Sequence, residues 1–116
     1  SRYYTTNYLL PIEAQKELNF EFNEVQLGVG FAKLSMSIGR GHDLSKTPEV
    51  FVNDNKVEVP LNWKGYDQAN RKKFFGAIEI PVPMELIKQN NSVRVTFPET
   101  GGHLSSLILD VEIIIN

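Results

Sequence analysis

The chain has 116 residues, of which 41% are hydrophobic and 22% charged, with six prolines, eight glycines and no cysteine. These values are typical of one globular domain, and the lack of cysteine excludes disulfides and cysteine-ligated zinc. The net charge of −2 and the absence of a long apolar run argue against nucleic acid and membranes as partners. We expect a monomeric single domain over 1–116, with a linker or domain edge at 1–10.

The first half of the chain contains two runs in which polar and apolar residues alternate. They are "NFEFNEV", with Phe20 and Phe22, and "GFAKLSMSIG", with apolar residues at every second position from 32 to 38. A period of two predicts strands that each bury one face. The next segment, "PEVFVNDNKVEVP", predicts a hairpin that turns through Asn53, Asp54 and Asn55, because these residue types tolerate the left-handed backbone of tight turns.

Three further strands are predicted in the second half. One runs from about Phe74 to Ile80 and is ended by Pro81 and Pro83, and "PMELIKQNN" then predicts one helical turn. "SVRVTF" predicts a strand, as does "LSSLILDVEIIIN". The residues predicted to face inward in these two strands are Val93, Val95, Phe97, Leu107, Leu109, Val111, Ile113 and Ile115. Seven or eight short strands with almost no helix indicate an all-β fold, an antiparallel sandwich of two sheets.

Three loops carry the unusual polar and aromatic residues. They are "SIGRGHDLSKTP", "LNWKGYDQANRKK" and "PETGGHLSS". Loops of a sandwich gather at its two ends and can form a site from distant stretches. The sequence leaves open whether these three share an end.

Catalysis is not expected, because the common hydrolase, zinc protease and nucleotide-binding motifs are absent. Asp43 and Asp67, in the unusual loops, are the two carboxylates to test for glycoside cleavage. His42, Asp43 and His103 could bind a metal, but scattered residues of this kind are more often hydrogen-bonded loop groups. No cofactor is expected, and a structural calcium held by backbone carbonyls would leave no trace in the sequence.

Carbohydrate binding is the better interpretation of the aromatic loop. A sugar ring presents an apolar C–H face to a flat aromatic side chain and hydroxyls to polar groups around it. We expect Trp63 and Tyr66 to stack on sugar rings. The residues expected to hydrogen-bond hydroxyls are Arg40, His42, Asp67, Gln68 and His103. An alternative of equal weight is that Trp63 plugs the end of the sandwich.

The same loop carries the cations Lys64, Arg71, Lys72 and Lys73. A solvated loop is the common outcome for such a run, whereas a sulfated sugar would use the arginine fork and the lysine charges. Arg71 and Arg40 could instead form structural clamps with Asp67 and Asp43.

The pieces "SIGRGHD", "VNDNKVEVPLNWKGYDQ", "FFGAIEIPVP" and "VRVTFPETGGHLSS", within about 25–112, resemble the C-terminal β-sandwich modules of β-agarases and β-porphyranases of glycoside hydrolase family 86. The run "IPVPMELIKQNNSVRVTF" also resembles the galactose-binding-like jelly-roll class. The resemblance implies a carbohydrate-binding module that holds a red-algal galactan, porphyran or agarose, for a parent catalytic domain in cis. It further implies that the parent is a larger bacterial enzyme, secreted or at the cell surface. The alternative is a structural sandwich that packs on the parent enzyme and binds no sugar.

Overall fold

The computed structural model describes residues 1–5, 9–40, 46–60 and 76–115, and these contain nine β-strands and one 3-10 turn, Met84–Leu86. The strands are β1 (Arg2–Tyr4), β2 (Leu10–Pro11), β3 (Glu17–Phe22), β4 (Gly30–Gly39), β5 (Glu49–Val52), β6 (Asn55–Val57), β7 (Gly76–Val82), β8 (Asn91–Thr96) and β9 (His103–Ile113). The predicted helical turn after Pro83 is confirmed. No helix in this part of the chain is long and apolar enough to span a membrane.

The strands form two sheets in which the strand pairs are antiparallel. The first sheet has the order β1-β9-β4-β7, with β2 also paired to β9, and the second has the order β3-β8-β5-β6. The predicted antiparallel sandwich of two sheets is therefore confirmed. The two strands that the sequence pattern did not predict, β1 and β2, are only three and two residues long, too short to show alternation. They place the described part of residues 1–10 at the edge of the first sheet.

The core lies between the sheets, where the alternating residues of each strand meet. Phe20, Phe22, the predicted inward residues 32, 34, 36 and 38 of β4, Val93, Val95 and Phe97 are all buried, as predicted. The last strand differs at its end: Leu107, Leu109 and Val111 are buried, but Ile113 is half-buried and Ile115 is 90% exposed. The prediction for Ile115 is wrong because β9 ends at Ile113, so Ile115 lies beyond the sheet and its alternation no longer sets which way it faces.

The hairpin of β5 and β6 is confirmed, with a shorter turn than predicted. Val52 pairs with Asn55, so the turn consists of Asn53 and Asp54 alone. Both have positive φ, 49° and 66°, which is the backbone that a two-residue hairpin turn requires and that Asn and Asp tolerate.

β7 ends later than predicted, and its predicted start at Phe74 lies outside the described residues. It runs from Gly76 through Pro81 to Val82. Pro81 continues the strand because β7 pairs only with β4 among the described strands. An edge strand has a hydrogen-bonded neighbour on one side only, so it can accommodate a proline, which has no backbone N–H, without losing a hydrogen bond to a second neighbour.

Candidate functional site

One described attachment point of each of the three unusual loops lies at the same end of the first sheet. Ile38, near the end of β4, pairs with Gly76 at the start of β7 and with Leu104 in β9, and Gly39 pairs with His103. We call this place, where β4 ends and β7 and β9 begin, the loop end. The sequence left open whether the loops share an end, and the strand register answers that question for their attachment points.

Gly102 allows the loop before β9 to lie directly against the end of β4. Its φ is +82°, and a Cβ built on it would lie 1.9 Å from the backbone oxygen of Gly39. Any other residue would clash with that carbonyl and would also strain the backbone. The glycine is therefore required for the close approach of the two chain segments at the loop end.

Arg40 follows β4 and points into the protein. The side chain is fully buried, its Nη2 donates a hydrogen bond of 2.8 Å to the backbone oxygen of Glu99, and the guanidinium lies 4.9 Å from the centre of the Phe97 ring. Burial lowers the pKa of Arg40, and the charge of Glu99 partly opposes that shift. The ordinary pKa of arginine is so far above neutral that the group stays charged at neutral pH.

This position differs from the surface position predicted for Arg40 as a hydrogen-bonding partner of sugar hydroxyls. A fully buried guanidinium has no surface to offer a polysaccharide, so Arg40 is a structural clamp of the loop end. The clamp predicted as the alternative had Asp43 as its partner, and Asp43 lies outside the described residues. Two of the partners of Arg40 are the carbonyl of Glu99 and the ring of Phe97.

Glu99 has a role at the loop end that the sequence did not predict. Its carbonyl accepts from Arg40, and its carboxylate accepts a 2.8 Å hydrogen bond from the backbone N–H of Lys46. Arg40 and Lys46 flank residues 41–45, which include His42, so Glu99 ties both sides of that loop to the segment before β9. No motif in the sequence marks this role, because an acidic residue beside a glycine pair is common in solvated loops.

The segment that contains Glu99 is itself fixed from its other side. The Oγ1 of Thr100 accepts a hydrogen bond from the N–H of Ala14, the N–H of Gly101 donates to the carbonyl of Ile12, and the N–H of Ile12 donates to the carbonyl of Gly102. These bonds satisfy the backbone of a turn that strand pairing does not reach. The base of the loop end is therefore held on two sides.

His103 is the one predicted sugar contact that the structure describes at the surface. It is the first residue of β9, it pairs with Gly39 on one side and with Pro11 on the other, and its side chain is exposed. The other predicted site residues lie outside the described ranges and stay predictions. They are His42, Trp63, Lys64, Tyr66, Asp67, Gln68, Arg71, Lys72 and Lys73.

The ends of the segment 61–75, which carries most of these residues, are described. Gly76 lies at the loop end, whereas Pro60 lines a cleft together with Pro81 and Pro83, at the other end of β7. In the described ranges no three histidine, aspartate or glutamate side chains are grouped as a metal ion would require.

Comparison with known proteins places the chain among domains of one kind of enzyme. Residues 19–112 match the family model described as beta porphyranase A C-terminal. The chain is 50% identical over 113 residues to beta-porphyranase A of Phocaeicola plebeius, covering 97% of this chain and 16% of that protein. It is 46% identical over 112 residues to a funoran endo-beta-hydrolase of Wenyingzhuangia aestuarii, covering 95% of this chain and 15% of the relative. The chain thus spans about a sixth of the length of these relatives.

Solved structures agree with this comparison. A beta-porphyranase of glycoside hydrolase family 86 from the human gut bacterium Bacteroides plebeius aligns with a TM-score of 0.87 and 47% identity, over 100% of this chain and 21% of the other. BuGH86 in complex with neoagarooctaose aligns with a TM-score of 0.83 and 43% identity, over 94% and 18%. A family 35 carbohydrate binding module from Clostridium thermocellum aligns with a TM-score of 0.63 and 15% identity, over 93% and 86%, which shows a shared jelly-roll fold.

Proposed function

The chain belongs to the family of beta-porphyranase A C-terminal domains, and from this premise we propose that it is a non-catalytic carbohydrate-binding module for a red-algal galactan, porphyran or agarose. In this proposal it holds a larger bacterial glycoside hydrolase, secreted or at the cell surface, on its polysaccharide. The relatives support this substrate class, since one is named for porphyran, one for funoran, and BuGH86 binds neoagarooctaose.

The observation that carries the proposal is that each of the three polar loops has one attachment point at the same end of the first sheet. Their attachment points are brought together by the pairing of Ile38 with Gly76 and Leu104, and their base is held by Arg40, Glu99 and Gly102. A sugar site needs such a base, because a loop that becomes ordered only when the sugar binds loses conformational entropy, and this loss weakens the binding.

Each predicted residue has a role that follows from its chemistry. Trp63 and Tyr66 stack on the C–H faces of the sugar rings, and His103 hydrogen-bonds hydroxyls at the surface of the loop end. His42, Asp67 and Gln68 complete the polar contacts, and the cations Lys64, Arg71, Lys72 and Lys73 bind sulfate. Arg40, which was predicted from the sequence to contact sugar hydroxyls, instead stabilises the base of the loop end.

Affinity electrophoresis of the 116-residue chain in gels that contain porphyran, agarose or a neutral glucan tests the proposal. We expect retardation by a galactan and none by the glucan. Trp63→Ala should weaken the binding by about 1 to 3 kcal/mol while the fold survives, because a stacking platform loses contact area without opening a cavity. Tyr4→Ala is the matched control, since Tyr4 is an aromatic residue that is 64% exposed on β1, away from the loop end.

Two results would count against the proposal. If no galactan retards the chain, it is the alternative, a structural sandwich that packs on the parent enzyme. If Trp63→Ala unfolds at room temperature, Trp63 plugs the core and the aromatic part of the site is wrong.

A further inference from the structure

Exposed apolar side chains cluster at the end of the first sheet opposite to the loop end. Seven large hydrophobic residues are exposed in the described ranges, and five of them belong to this cluster, which we call the apolar end. They are Leu27, Val29, Phe31, Ile114 and Ile115. A soluble monomer rarely leaves so many large apolar side chains together in water, so such a surface marks an interaction site.

Strand pairing brings the two halves of the apolar end side by side. Phe31, near the start of β4, pairs with Glu112 of β9, and the N–H of Ile114 donates a 2.7 Å hydrogen bond to the carbonyl of Val29. Val29 is 77% exposed and Phe31 68%. Phe31 therefore stands on a paired strand, and the hydrogen bond from Ile114 joins the two segments that adjoin the strands, at Val29 and Ile114.

Phe31 stands between two depressions of the surface. A cleft of about 560 Å³ lies on one side and is lined mainly by apolar groups, among them Val57, Val59, Pro81 and Pro83. A smaller one of about 270 Å³ lies on the other side and has Lys33, Asp110 and Glu112 at its rim. An aromatic side chain beside apolar hollows with charged rims is the arrangement by which protein interfaces anchor a partner.

The start of the chain lies close to the apolar end. The N–H of Val111 donates a 2.8 Å hydrogen bond to the carbonyl of Ser1, and Arg2 pairs with Asp110. Because β1 runs antiparallel to β9, a polypeptide that precedes Ser1 would continue past Val111 towards Ile114. In the relatives the matching domain is C-terminal and forms about a sixth of the protein, so most of the enzyme precedes it and would meet it here.

We propose that the apolar end is the docking surface for the domain that precedes this one in the parent enzyme. The partner is an apolar surface of the same polypeptide that covers Val29, Phe31 and Ile115 and fills the two depressions beside Phe31. Interfaces between domains of one chain cover roughly 600 to 1,500 Å², an area that one end of this sandwich can supply. His103, the described exposed residue of the loop end, lies at the opposite end of the first sheet and stays accessible to polysaccharide.

The test uses the parent polypeptide with the triple substitution Val29→Ser, Phe31→Ser and Ile115→Ser. The three side chains are largely exposed, so the isolated 116-residue chain should keep its melting temperature. In the parent, the module should unfold separately from its neighbour, and limited proteolysis should cut between the two domains roughly tenfold faster, because undocked linkers are exposed. Tyr4→Ser removes an exposed aromatic outside the apolar end and should change neither measurement.

A second variant covers the case in which the triple substitution prevents folding. Val29→Lys changes one residue that is 77% exposed, and it should release the module in the same way by burying a charge at the contact. Unchanged unfolding and proteolysis of the parent with either variant would overturn the proposal. So would a dimer of the isolated chain that the variants dissociate, since a second copy would then cover the surface. A loss of galactan affinity with either variant, despite a stable fold, would make the apolar end a sugar site and would also overturn it.

Discussion

Replacing Gly102 by alanine should destabilise the protein by about 3 to 5 kcal/mol. A residue with a side chain at a φ of +82° costs about 1 to 2 kcal/mol. The new Cβ would lie 1.9 Å from the Gly39 oxygen, whereas carbon and oxygen atoms in contact are about 3.3 Å apart. The turn and the end of β4 must therefore separate by more than 1 Å, which breaks or lengthens hydrogen bonds worth about 1 kcal/mol each.

Two other glycines serve as controls because they separate the two causes. A Cβ on Gly30 would lie 1.8 Å from the backbone oxygen of Glu112 without a positive φ, so Gly30→Ala tests the clash alone. A Cβ on Gly28 would meet only the side chain of Ile113, at 2.8 Å, and that side chain can move. We expect the loss of stability to be largest for Gly102→Ala, smaller for Gly30→Ala and smallest for Gly28→Ala.

Urea denaturation followed by circular dichroism measures these differences as shifts of the transition midpoint at constant slope. Galactan affinity, measured under conditions where each variant is folded, should fall for Gly102→Ala and stay unchanged for Gly28→Ala. A cost of less than about 1 kcal/mol for Gly102→Ala would contradict this role of Gly102, since the strain of the positive φ alone should reach that value. A cost for Gly28→Ala equal to that for Gly102→Ala would contradict it too.

Three further predictions concern the loop end and its ligand. Glu99→Ala removes the acceptor for the N–H of Lys46 and should weaken galactan binding by about 1 kcal/mol. Glu99→Gln keeps an acceptor oxygen and should bind galactan nearly as the parent chain does, so equal losses of affinity for the two variants in titration calorimetry would contradict this role. A triple alanine variant of the basic run 71–73 should bind sulfated porphyran more weakly than the parent chain at low salt. The parent chain should lose affinity as salt rises, because exposed charges are screened beyond about 8 Å at physiological ionic strength. A variant that binds porphyran like the parent chain would show that the run is a solvated loop or a docking surface. The isolated chain should release no reducing ends from agarose or porphyran, and steady release that is lost on substitution of Asp43 or Asp67 would show that it is an enzyme.

The sequence by itself determined seven of the nine described strands and the sandwich. Residues such as Leu34 and Met36 alternate with serines, and a strand with that pattern can bury only one face, so the pattern specifies both the strand and its inner side. The turn residues Asn53 and Asp54 likewise indicated the hairpin, because their tolerance of positive φ is a local property. Local signals of this kind need no knowledge of the rest of the fold.

Tertiary structure decided what depends on which strands become neighbours. The pairing of β4 with both β7 and β9 brings the loop attachments together, and no local pattern encodes that pairing because it joins residues far apart in the chain. The same pairing encloses Arg40, which the sequence placed at the surface, and sets Glu99 beside Lys46. It also ends β9 before Ile115, which is therefore exposed in this chain. Alternation indicates which side of a sheet a residue is on, but only the packing of the two sheets determines whether that side is buried.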